Sequence, residues 1–77
     1  MVLLIKLDSV FGKILKSKRQ SINLSQEELG LKSRLSRSYI SDLEMGKKDP
    51  SLFTIFKLAS ALQLKPSVLI DEVEDTI

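Results

Sequence analysis

Apolar residues recur along this 77-residue chain at intervals of three and four, and hardly anywhere at intervals of two. That spacing predicts helices and almost no strand. Five segments carry it. The first runs from about Ser9 to Ile22, with Phe11, Leu15 and Ile22 on one face and Ile14 at its edge. Asn23 is a reasonable stop, because Asn tolerates left-handed backbone. The second opens at Ser25, where Ser25-Gln26-Glu27-Glu28 spells a capping box. Leu29 is its apolar anchor, and it ends near Lys32. After the connection Ser33-Arg34-Leu35, Ser36 caps a third helix through Met45, and Gly46 stops it. Ser51 caps a fourth, about Leu52 to Leu62. Its apolar stripe is the widest (Leu52, Ile55, Phe56, Leu58, Ala59, Leu62), and it is expected at the centre of the core. Lys65-Pro66 opens a fifth, since Pro is favoured in a first turn. Its apolar residues are Val68, Leu69, Ile70, Val73 and Ile77, and Asp71, Glu72, Glu74 and Asp75 make its end acidic. The fold class is therefore all-α. Residues 1–77 read as a single domain, with a helix-turn-helix over about 25–45.

The third helix differs from the others. On a wheel of about 100° per residue, Ile40, Leu43, Glu44 and Ser36 cluster on one side. Ser38, Ser41, Asp42 and Met45 lie opposite, flanked by Arg37 and Tyr39. A helix buried along so narrow a stripe suits an element anchored at one edge and offered to a partner.

Composition then narrows the chemistry. The chain has no Cys and no His. That excludes disulfide scaffolds, thiolate and imidazole metal sites, and nucleophilic or triad catalysis by those residues. Three Gly residues, none grouped into a phosphate-cradling loop, add to the case against an enzyme. A chain this short buries only ~60% of its unfolded surface, so oligomerisation is a plausible supplement to stability. Net charge is +2, but residues 1–40 hold eight basic and three acidic side chains, and residues 41–77 hold four and seven. Such a split suggests one surface that faces anions and one that avoids them. The apolar start, Met1 to Ile5, is too short to span a membrane and lacks the marks of a signal peptide. The expected location is the cytoplasm.

Two short helices joined by three residues, the second of them polar, make the helix-turn-helix signature. Here the chain resembles a known family. Leu24-Ser25-Gln26-Glu27-Glu28-Leu29, Leu35-Ser36-Arg37-Ser38-Tyr39-Ile40-Ser41, Leu43-Glu44, Gly46-Lys47 and Pro50-Ser51-Leu52 are similar to the XRE-type, lambda-repressor-like DNA-binding proteins. Phe11-Gly12, Leu15-Lys16 and Arg19 upstream, and Leu58-Ala59 with Ala61-Leu62 downstream, extend the match to about residues 10–70. The resemblance implies a five-helix domain on double-stranded DNA, with the third helix in the major groove and the second across the backbone. It also implies a two-fold dimer that regulates transcription without a cofactor. The size and the Arg-Ser-Tyr-Ile-Ser run look particularly like restriction–modification controller proteins.

Roles can be assigned by position. Arg37 matches the two guanine acceptors in the major groove, with a phosphate contact as its alternative. Ser38 and Ser41, on the exposed face, are the other candidate base contacts. Asp42 on that face repels phosphate unless it accepts from a cytosine amino group or pairs with a neighbour; otherwise it sits at the groove's rim or orients Arg37. Candidate backbone contacts are Gln26, Ser36, Tyr39, Lys47 and Lys48, with Lys16, Lys32 and Arg34 behind them. Gln26 opens the second helix, whose unpaired amides favour a phosphate, and the resemblance suggests that it also braces Arg37. Tyr39 either touches phosphate or packs on the second helix. The resemblance further implies a partly buried ion pair between Arg19 and Glu44, joining the first and third helices.

The chain departs from the family pattern at three places. Arg34 stands where Gly is usual in the turn, Gly30 where Ala is common, and Lys18 where an apolar residue is usual. Lys18 must run its methylenes along the core and bring its amine to water. Val68, Leu69, Val73 and Ile77 exceed what one terminal helix buries, so they are expected at an isologous dimer contact, aided by Val2 to Ile5. The alternative is that both segments close the monomer's own core. A second function of a different class is an antitoxin-like module that binds a partner protein, with DNA binding secondary. No small-molecule substrate and no membrane is implied.

Overall fold

The second helix starts where its own side chains terminate the backbone. In the computed structural model, which describes residues 6–77, Ser25 Oγ accepts from the Glu28 amide at 3.0 Å and Glu28 Oε1 accepts from the Ser25 amide at 2.8 Å. The bond from the Ser25 backbone holds the Glu28 carboxyl below the usual carboxylate range. Ser36 and Ser51 cap the next two helices in the same way, accepting from Tyr39 and Thr54 amides.

The elements are α1 (Leu7–Ser21), α2 (Gln26–Ser33), α3 (Arg37–Glu44), α4 (Leu52–Ala61) and α5 (Pro66–Thr76). All five expected helices are present, and their ends differ from the sequence reading by a residue or two. Stops follow left-handed residues. Asn23 (φ 59°), Arg34 (φ 60°), Gln63 (φ 59°) and Gly46 (φ 72°) end α1, α2, α4 and α3. α1 packs on α3 and α5, α2 on α3 and α4, and α4 on α5. The core comprises Phe11, Leu15, Leu29, Ile40, Leu43, Leu58, Ala59, Leu62 and Leu69.

Three expectations about burial need correction. Leu52 and Phe56 on α4 are 69% and 54% exposed, and Phe53 beside them is 72% exposed. The α4 stripe is wider than the groove it packs into, because α2 and α5 cover only the side holding Thr54, Leu58 and Ala59. Leu69 is fully buried in the protomer's own core, where α5 closes over α1 and α4, so it is not surface available to a second copy. Ile22, expected on the inner face of α1, is 46% exposed because α1 ends before it. The expectation for Val2 to Ile5 lies outside the described residues.

Lys18 runs out of the α1 interface to an ion pair with Glu72 on α5. At the α2–α3 turn, a Cβ on Gly30 would meet the Leu35 carbonyl at 2.7 Å, so only Gly admits this close approach. Arg34 adopts φ 60°, ψ 38° at the end of α2, and the Leu35 amide bonds the Gly30 carbonyl at 2.9 Å. A non-Gly side chain in that conformation costs about 1–2 kcal/mol. Arg34→Gly is therefore expected to raise stability by up to about 1 kcal/mol, part of the gain being lost to the greater freedom of Gly in the unfolded chain. Thermal unfolding followed by circular dichroism checks this; a lower midpoint would contradict the strain.

Candidate nucleic-acid interface

α3 is held from behind. Arg19 Nε and Nη2 donate to Glu44 Oε2 and Oε1 at 2.6 and 2.9 Å. Arg19 Nη1 donates to the Leu24 carbonyl at 2.8 Å, and Gln26 Nε2 donates to Glu44 Oε1 at 3.1 Å. One network thus joins α1, the α1–α2 loop, the first residue of α2 and the last residue of α3. The Arg19 and Glu44 side chains are 10% and 3% exposed, so both charges are held almost out of water. The bonds to Glu44 raise the Arg19 pKa further above its already high value, so the pair is ionised on the Arg side throughout the ordinary range. Gly12 allows the approach of the two helices, since a Cβ there would sit 2.3 Å from the Leu43 carbonyl and 2.8 Å from that of Glu44.

The opposite side of α3 is open. Arg37 and Ser38 are exposed in its first turn, and Ser41 and Asp42 are half-buried one turn on. Ile40 and Leu43 are fully buried behind them. Ser36 is exposed and its hydroxyl oxygen is engaged by the Tyr39 amide at 3.0 Å. Tyr39 is half-buried and packs against the core cluster. Beyond the stop at Gly46, the Lys47 amide bonds the Asp42 carbonyl at 2.9 Å. This folds the turn back over the end of α3 and brings Lys48 Nζ to 3.8 Å from Asp42 Oδ2 and 5.8 Å from the Tyr39 ring centre. Lys47 is exposed.

The structure therefore brings Arg37, Ser38, Ser41, Asp42, Tyr39, Lys47 and Lys48 to one open face, and Gln26 to its edge. It differs from the expectation for Gln26, whose amide bonds Glu44 and not Arg37. Glu44 is a buried anion whose Oε1 accepts from both Arg19 and Gln26, and a charged acceptor of this kind is the stronger partner for the amide. Asp42 takes the alternative of pairing with a neighbour, Lys48, and does not orient Arg37. That pairing spans a helix stop, so neither helical nor strand spacing announces it; the left-handed Gly46 is the one local sign. Of the residues expected at a dimer contact, Val68 and Val73 are half-buried and Ile77 is 45% exposed. The exposed Leu52, Phe53 and Phe56 were not singled out for a surface role, because a helical stripe reads as core until the depth of the groove receiving it is known.

Breaking the buried pair on one side leaves the other charge without a partner, at about 3–5 kcal/mol. Arg19→Met is expected to lose that much in urea unfolding, and Arg19→Met with Glu44→Leu to recover much of it. Equal stabilities for the wild type and Arg19→Met would show that the network holds nothing together.

The profile described as Helix-turn-helix matches residues 15–69. The chain is 41% identical over 63 residues to Control protein C.BamHI of Bacillus amyloliquefaciens, covering 80% of this chain and 78% of that protein. It is 38% identical over 61 residues to the immunity repressor of Bacillus phage phi105, covering 79% of this chain and 42% of the repressor. Its fold matches the crystal structure of the restriction-modification controller protein C.AhdI from Aeromonas hydrophila with a TM-score of 0.79 and 42% identity, over 80% of this chain and 94% of that one. Five helices, an open polar α3 and these similarities together make the chain a member of the XRE-type helix-turn-helix family of transcriptional regulators, related to restriction–modification controllers and phage repressors.

Proposed function

We propose that the protein is a sequence-specific regulator that binds a pseudo-palindromic operator as a dimer, in the manner of a restriction–modification controller. The observation that carries this reading is the open first turn of α3. Arg37 and Ser38 project there without a hydrogen-bonding partner among the described residues, while the last turn is locked to α1 by the Arg19–Glu44 pair. A recognition helix reads bases with its N-terminal residues, and a rigid mounting aims them. Arg37 reads guanine, Ser38 and Ser41 contact neighbouring base edges, and Lys47, Tyr39 and the first turn of α2 at Gln26 lie along phosphate. Ser36 faces the same backbone, with its carbonyl and hydroxyl already engaged in starting α3.

Dimerisation is supported by the apolar ridge Leu52, Phe53 and Phe56, which runs along the first turn of α4 and is open to solvent. The protomer measures 37 × 23 × 21 Å. Half-sites one helical turn apart are about 34 Å centre to centre, a spacing at which two copies meet when their long axes run along the duplex. An isologous contact that covers this ridge removes two phenylalanine rings from water on each side.

Selection from random duplex DNA, sequenced after several rounds, tests the function. A two-fold motif is the expected result. On the selected duplex, Arg37→Ala should cost about 1–3 kcal/mol and cost far less on random DNA. Lys47→Ala should weaken both and reduce the salt slope by about 1. Equal losses on both duplexes for Arg37→Ala would reject it as a base reader. For the dimer, Phe53→Asp with Phe56→Asp should give the monomer mass by light scattering with the helical signal intact; a persistent dimer would move the contact elsewhere.

A further inference from the structure

The open face of α3 carries one feature that simple attraction to DNA does not account for. Asp42 lies at the i+4 position from Ser38 and beside Ser41, on the side turned away from Ile40 and Leu43. A carboxylate there opposes binding to phosphate. It is also not idle: Lys48, one of two lysines in the turn after α3, is drawn back to it at 3.8 Å and lies over the Tyr39 ring at 5.8 Å. Lys47 beside it makes no such contact among the described residues. The Lys48 and Asp42 side chains are 55% and 31% exposed. An ion pair so exposed contributes little, so a new donor to Asp42 is enough to release Lys48.

Resting on the reading of α3 as a base-reading helix, we propose that Asp42 is a specificity-determining residue that works by holding and releasing Lys48. In the free protein and on unrelated DNA, Asp42 and Tyr39 keep Lys48 off the backbone. A cytosine amino group opposite Asp42 supplies the carboxylate with a donor, as acidic side chains require in the major groove. Lys48 then exchanges its carboxylate partner for a phosphate. Opposite a base edge that offers only acceptors, the Asp42 charge is repelled and Lys48 stays where it is. The same carboxylate therefore subtracts a cation from non-specific binding and returns it on the correct site. Specificity of this kind comes from penalising wrong partners as much as from favouring the right one.

The salt dependence of affinity counts phosphate contacts and reads this directly, because each neutralised phosphate changes the slope of log K against log salt by about 0.9. Binding is measured on a random-sequence duplex and on the duplex recovered by selection, for the wild type, Lys48→Met, Asp42→Asn and the double variant. On random DNA, Lys48→Met should leave the slope unchanged, Asp42→Asn should steepen it by about one contact, and the double variant should return it to the wild-type value. On the selected duplex, Lys48→Met should flatten the slope by about one contact. The ratio of selected to random affinity should fall several-fold in Asp42→Asn. Lys48→Met flattening the slope equally on both duplexes would overturn the proposal, since Lys48 would then contact phosphate regardless of sequence. A steepening in Asp42→Asn that Lys48→Met does not reverse would also overturn it, leaving Asp42 as a general repulsion. Wild-type binding that does not distinguish the duplexes would fail the regulatory reading itself, and this inference with it. Lys48 is exposed and the half-buried Asp42 has only Lys48 as a side-chain partner among the described residues, so the unfolding midpoints of the four proteins should agree within a few degrees.

Discussion

The structure depends on one pair of charges held almost out of water. Arg19 and Glu44 meet with both of their forks engaged, and the remaining donor and acceptor capacity goes to the Leu24 carbonyl and the Gln26 amide. Taking such a pair out of water is costly in itself, and a well-packed apolar substitute often does as well for stability. What the pair supplies is position. Both hydrogen-bonding groups are planar and directional, so the end of α3 is fixed to α1 in one orientation and the start of α2 is tied to the same carboxylate. Gly12 lets the backbones approach closely enough for this, by presenting no Cβ to the Leu43 and Glu44 carbonyls.

From that anchor the rest of the interface follows. α3 has eight residues and buries only Ile40 and Leu43, too little to hold it in place by apolar contact alone. Its N-terminus is set by the Ser36 cap and by the close α2–α3 turn, where Gly30 admits the Leu35 carbonyl and Arg34 takes the left-handed conformation. Its C-terminus is set by Glu44. Both ends being fixed, the exposed residues between them face solvent as a rigid set. The cost is borne in the turn, as strain at Arg34, and on α4, where nothing among the described residues covers an apolar ridge.

Much of the fold is legible in the residue order, because its determinants are local. Capping serines, left-handed Asn23 and Gly46, Pro66 in a first turn and spacings of three and four act within a few residues of where they stand, so the order of five helices and the polar face of α3 could be read directly. The narrow apolar stripe of α3, with Arg37 and Ser38 opposite it, is of the same kind. The pairing of Arg19 with Glu44 came from likeness to a family, since residues 25 apart share no local signal. Tertiary packing alone decided the remainder. How deep a groove α2 and α5 make for α4 left Leu52, Phe53 and Phe56 outside, and the closure of α5 over α1 took Leu69 inside. Whether Gln26 meets Glu44 or Arg37, and which cation Asp42 meets, depended on where the chain returns after a helix stop. Periodicity reports which side of a helix is apolar; how much of that side is covered, and what lies across from it, is set by the neighbours that the completed fold brings there.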